Sequence, residues 1–118
     1  MAWQFDSNLP IFKQIVDNIT LRIIKGVYKC GEKIDSVRDL AIEAGVNPNT
    51  MQRALAEIET TGLIETKRGD GRYITEDAQK IDRIRHKYIE DNAIDFIKRM
   101  NDLGFTKSEI TEIIEKNI

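Results

Sequence analysis

One cysteine and one histidine are all the chain has of the residues that make disulfides or hold soft metals. Cys30 has no partner for an internal disulfide, which suits a reducing compartment. One cysteine and one histidine cannot build an ordinary zinc site, so no metal is expected. His86 stands between Arg85 and Lys87 with no second ligand or nucleophile beside it and reads as a surface side chain. Cys30 lies in no His-paired motif and reads as an inert or merely oxidisable thiol. No apolar run approaches the roughly 18 residues of a membrane helix, and the start Met1-Ala2-Trp3-Gln4-Phe5-Asp6 has no signal-peptide pattern. A cytoplasmic location without a membrane partner is expected. Internal repeats, low-complexity tracts and Gly/Ser linkers are missing too. No nucleophile–base pair, paired-carboxylate site or phosphate loop is visible, so neither enzymatic activity nor a cofactor is expected.

An excess of one charge is also missing. The 118 residues carry 18 basic and 20 acidic side chains, a net charge of −2. A DNA-binding domain often shows a basic bias, yet residues 1–75 hold ten basic and ten acidic side chains, and residues 76–118 hold eight and ten. Phosphate contacts need only a few cations on one face, so local clustering matters more than the total. The length, with 41% hydrophobic and 32% charged residues, suits one folded domain with an appendage.

What is present is periodicity. Phe12, Ile15, Val16, Ile19 and Ile23 follow the rhythm of one buried helical face. Pro10 suits its first turn, where a missing N–H costs nothing, and Gly26 ends it. Tyr28 to Asp35 keeps no steady period and reads as a loop. Ser36 opens a short second helix by capping the N–H of Asp39, with Val37, Leu40, Ala41 and Ala44 inward and Gly45 as its stop. Asn47 caps a third helix, Pro48 takes its first position, and Met51, Ala54, Leu55 and Ile58 form its inner stripe. After Gly62 the period changes to two. Leu63–Lys67 and Arg72–Thr75, flanking Arg68-Gly69-Asp70-Gly71, predict a hairpin.

From Glu76 to about Leu103 the chain reads as helix again. At ~1.5 Å per residue it would be about 40 Å long, more than the head can cover. Its apolar stripe includes Ile89, Ala93, Phe96, Ile97 and Met100. Gly104 follows as a helix stop, with Phe105 folding back onto Met100. Thr106 to Glu109 is a capping box, and the last helix is expected to bury Ile110, Ile113 and Ile114. The stripe leaves more apolar surface than one chain can pack, so a partner helix is its natural cover.

The fold class expected is therefore mainly α: a winged helix-turn-helix of three helices and a two-stranded wing over residues 1–75, then a two-helix dimerisation tail over residues 76–118. Placing Met51, Leu55 and Ile58 inward turns Asn49, Arg53 and Ala56 outward, with Gln52 on the flank. Asn and Gln match adenine edges and Arg matches guanine; the same residues also suit a plain solvated face. Ser36 and Arg38 stand at the start of the second helix, where free N–H groups attract phosphate. The alternative for Arg38 is a surface pair with Asp39 or Asp35. Lys67, Arg68 and Arg72 crowd the hairpin around Gly69, fitted to a minor groove or merely to a solubilised edge.

Taken in order, Pro10–Ile15, Ser36–Ala41, Gly45–Thr50, Arg53–Leu55, Glu59–Ile64 and Gly69–Ile74 resemble the GntR family of bacterial repressors over residues 10–75. The tail is similar to the short two-helix tail of the family's YtrA-type branch, whose members dimerise through it and commonly repress operons that include ABC transporter genes. The resemblance implies DNA contacts from Arg38, from Asn47, Asn49, Thr50, Gln52 and Arg53, and from Arg68 with Gly69. It also departs from the family pattern. Pro48 stands where many members have an arginine, and Cys30 and Asp35 replace customary prolines, Asp35 adding a negative charge near the phosphate path. The partners expected are double-stranded DNA and a second copy of the chain, bound to a palindrome. A winged-helix module that docks onto protein instead of DNA is the alternative, and neutral head charge keeps it open. A small-molecule effector is left open too, since no pocket motif is legible in the tail.

Overall fold

α1 (Ile11–Ile24) buries Ile15, Ile19, Ile23 and Ile24, while Phe12 and Val16 are half-buried at its edge. These belong to a computed structural model, which describes residues 3–118; the expectation about the chain's start falls partly on residues 1–2, outside them. Pro10 does not enter the first turn as expected. It is the flanking residue, with an extended ψ of 128°, because the Gln14 side chain closes the entry from within. Its amide donates to the carbonyls of Asp6 at 2.8 Å and Leu9 at 3.1 Å and accepts the Asp6 N–H at 2.8 Å. Ahead of it, the Trp3 indole donates to Glu43 at 3.0 Å and lies 4.4 Å from the Arg22 guanidinium.

α2 (Val37–Ala44) starts where the Ser36 hydroxyl accepts the Asp39 N–H at 3.1 Å. It ends at Gly45, whose φ of 73° lies in the left-handed region that only glycine enters cheaply. That turn redirects the chain within two residues to Asn47, which caps α3 (Pro48–Thr61) through the Asn49 N–H at 2.7 Å. α3 packs on α1 and α2, and Met51, Ala54, Leu55 and Ile58 are fully buried there. Truncating such a residue to alanine costs about 2–5 kcal/mol, so α3 is held firmly from its inner side.

β1 (Ile64–Lys67) and β2 (Gly71–Ile74) pair antiparallel, Ile64 opposite Ile74 and Lys67 opposite Gly71. Leu63, Ile64, Ile74 and Thr75 anchor the base of the hairpin in the core. The stretch expected to be a free loop before α2 is partly strand-like. Lys33 bridges Tyr73, Ile34 N–H donates to the Arg72 carbonyl at 3.0 Å, and Ile74 N–H donates to Glu32 at 2.8 Å. The backbone groups of β2's open edge are thereby satisfied, which is reason enough for an aperiodic segment to be ordered.

α4 (Ala78–Asp102) begins two residues later than expected. Asp77 stays outside it and accepts the Lys80 N–H at 3.0 Å. α5 (Lys107–Asn117) is opened by the predicted capping box, with Thr106 and Glu109 bonding each other's backbone N–H at 3.2 and 3.0 Å. The chain divides into two compact units, Met1–Asp82 and Arg83–Ile118. The division falls inside α4, because Lys80 lies against Gly62 and keeps the first turn with the head. Among the described residues no helix is long and apolar enough to cross a membrane, and no cluster of side chains could hold a metal ion.

Candidate nucleic-acid interface

The outer face of α3 is set by its inner one. With Met51, Leu55 and Ile58 buried, the 100° step per residue leaves Asn49, Gln52, Arg53 and Ala56 exposed and Thr50 half-buried. Among the described residues the side chains of Asn49, Thr50 and Gln52 make no hydrogen bond, so their donors and acceptors stay available for a base edge or a phosphate. Arg53 is exposed but not loose. Its guanidinium lies 4.7 Å from the centre of the Phe12 ring, a cation–π contact that restricts its rotamers. The Asn47 oxygen accepts the cap hydrogen bond, and its NH₂ group keeps both donors for a partner.

Ser36 uses its oxygen as a cap acceptor and keeps its O–H as a donor. Arg38, the second residue of α2, is exposed and pairs with neither Asp35 nor Asp39. Its place in the first turn puts the residue beside the N-terminal N–H groups of α2, where positive potential gathers.

The hairpin resolves its three cations into three different states. Arg68 is exposed and unpaired among the described residues. Lys67 reaches over the Tyr73 ring at 4.1 Å. Arg72 turns inward and pairs with Glu59 of α3 at 2.8 Å, and Thr66 donates to that same carboxylate. Arg72 therefore braces the wing against α3 and does not join its outer face. At the tip, Gly69 has a φ of 78° within the turn closed by Asp70 N–H to the Lys67 carbonyl at 2.9 Å. A reverse turn needing positive φ at its third residue takes glycine there.

Three residues at the wing were not singled out by sequence. Lys33 bonds Asp70 at 3.0 Å and the Tyr73 hydroxyl donates to the other Asp70 oxygen at 2.5 Å. The Tyr73 phenol, then the Lys33 ammonium, hold the Asp70 carboxyl below its ordinary range. The same hydrogen bonds push the Lys33 ammonium and the Tyr73 phenol upward. The available signal was the step from exposed Lys33 to buried Ile34, too short to count as a strand.

The residues expected to dimerise lie in α4 and α5. Ile89, Ala93 and Ile97 are exposed, Phe96 and Met100 half-buried. Of the three isoleucines expected to be buried by α5, only Ile110 is; Ile113 and Ile114 stay 44% and 37% exposed. The i, i+3, i+4 spacing puts all three on one helix face, of which the single chain covers only the part at Ile110.

Residues 11–74 match the model of the bacterial regulatory proteins, gntR family. The HTH-type transcriptional regulator YhcF of Bacillus subtilis is 42% identical over 112 residues, which are 95% of this chain and 93% of that protein. The HTH-type transcriptional repressor YtrA of the same organism is 45% identical over 73 residues, 62% of this chain but only 56% of YtrA. Among solved structures, a GntR family transcriptional regulator from Listeria monocytogenes superposes with a TM-score of 0.90 at 43% identity, covering 95% of this chain and 98% of that one.

Proposed function

The chain belongs to the gntR family of DNA-binding bacterial regulatory proteins, and from that premise we propose that it is a transcription repressor binding a palindromic operator as a homodimer. The observation that carries the reading is the outer face of α3, where Asn49 and Gln52 are exposed with uncommitted side chains above a fully buried stripe. Asn49, Gln52 and Arg53 read base edges in the major groove, since their amide and guanidinium groups match adenine and guanine. Ser36, Arg38, Asn47 and Thr50 hold phosphates around the starts of α2 and α3, and Lys67, Arg68 and Gly69 bring the wing to the adjoining groove. Residues 76–118 join two copies, so that two heads meet half-sites about one helical turn apart. Repression is supported by the similarity to YtrA, itself named a repressor. No catalytic step belongs to this reading, and the regulator works in the cytoplasm, where its DNA is.

The test is selection of binding sites from random duplexes, followed by scrambling one half of the selected site. An inverted repeat should emerge, affinity should fall at least a hundredfold when one half is lost, and a promoter carrying the site should be silenced. Affinity should also drop steeply with salt, since phosphate binding releases counterions. Enrichment of no sequence, or a site indifferent to the loss of one half, would overturn the proposal.

A further inference from the structure

The wing tip carries an anion at a place where a DNA-binding loop gains nothing from one. Asp70 follows Gly69 directly and is exposed, one residue beyond Gly69 and two beyond Arg68, the groove contacts named above. A bare carboxylate there would face phosphates and repel them. It is not bare: Lys33 Nζ bonds one oxygen at 3.0 Å and the Tyr73 hydroxyl bonds the other at 2.5 Å. Lys33 is itself fixed by backbone pairing. It bridges Tyr73, and its neighbours Glu32 and Ile34 exchange hydrogen bonds with Ile74 and Arg72 of β2. Its side chain runs past Gly71, where a Cβ would come within 3.1 Å of Lys33 Cε. The ring whose hydroxyl holds Asp70 also carries Lys67 at 4.1 Å. Lys33, Asp70, Tyr73 and Lys67 thus form one connected group, in which the loop before α2 grips the tip of the wing.

We infer that Lys33 is a positioning residue for DNA binding: it acts through Asp70, neutralising that carboxylate and fixing the tip so that Lys67 and Arg68 meet the duplex, and it makes no phosphate contact of its own. The inference rests on the reading that the wing meets DNA. A surface ion pair contributes little to folding, so the effect of this one lies in the field and shape presented to DNA.

A double-mutant cycle on the full chain separates the possibilities, with the duplex recovered by site selection as probe. Arg68→Ala tests the wing itself and should weaken binding about tenfold, as loss of one groove contact does. Lys33→Met should weaken binding about tenfold in the wild-type background and less than twofold beside Asp70→Asn, because groups in one network couple. Lys33→Arg should restore most of the affinity. Tyr73→Phe, which removes the other donor, should show the same dependence on Asp70, and it carries the test if Lys33→Met lowers the melting temperature. If Lys33→Met costs the same in both backgrounds and lowers the salt slope by about one unit, Lys33 is itself a phosphate contact, and the inference is wrong while the wing reading stands. If Arg68→Ala leaves affinity unchanged, the wing does not meet DNA and both fall.

Discussion

Asn49, Gln52 and Arg53 occupy one exposed face of α3, yet they stand in different mechanical situations. Asn49 and Gln52 have uncommitted side chains, whereas Arg53 lies over the Phe12 ring at 4.7 Å. Replacing either amide by alanine should leave the melting temperature nearly unchanged, because exposed substitutions stay within about 0.5 kcal/mol. On the selected site the same replacements should cost about 1–3 kcal/mol and relax the base choice at one position of each half-site. Arg53→Ala should do this too, and should also lose the ring contact, about 0.5–1 kcal/mol at an exposed site. Thermal melts beside a repeated site selection read both quantities. Wild-type selectivity in all three variants would remove α3 as the reading helix. Arg53 shows what sequence leaves out at this scale: that it points outward was legible from the period, but its partner Phe12 was not, since nothing local records a contact between two helices.

At the scale of elements, Ser36 serves α2 as its cap, and the proposed function gives its remaining O–H a phosphate to meet. The two roles separate by substitution. Ser36→Ala removes both and should destabilise the head by about 1 kcal/mol, whereas Ser36→Asp keeps a good cap acceptor and should recover that stability. Neither should recover DNA affinity, since alanine has no donor and aspartate places a charge against phosphate. Melting and gel-shift measurements on the two variants check it; full affinity in Ser36→Asp would reduce Ser36 to a cap alone. Caps, helix stripes and the Gly45 and Gly69 turns were legible beforehand because each is written in residues a few positions apart. The edge pairing of Glu32 to Ile34 with β2 was not. It is made by backbone groups across some forty residues of chain, and backbone groups look alike in every sequence. Arg72 was misplaced among the outer cations for a related reason: its partner Glu59 sits on another element.

The whole molecule combines a head of balanced charge with a tail whose apolar side chains one copy leaves uncovered. α4 has 25 residues, about 37 Å at 1.5 Å per residue, and none of them is buried. Ile89 and Ile97 are 60% and 43% exposed, and both lie on the stripe through Ala93, Phe96 and Met100. A head with ten acidic and ten basic side chains gains no long-range attraction to DNA from net charge. In the proposed dimer local contacts are made twice, and two heads joined by their tails would act at a high effective concentration on paired half-sites. Ile97→Glu probes this directly. In a single chain the new carboxylate would stand in water, so helix content by circular dichroism should not change. Across a dimer contact it would be desolvated beside apolar groups, at a cost of several kcal/mol. Since about 1.4 kcal/mol is a factor of ten, the dimer should weaken at least a hundredfold and light scattering should report monomers at micromolar concentration. The variant's grip on the full palindrome should fall to that on an isolated half-site, while its affinity for the half-site stays as in wild type. A wild-type chain that is monomeric under the same conditions would refute dimerisation through this face, and an Ile97→Glu dimer would place the contact elsewhere on the chain.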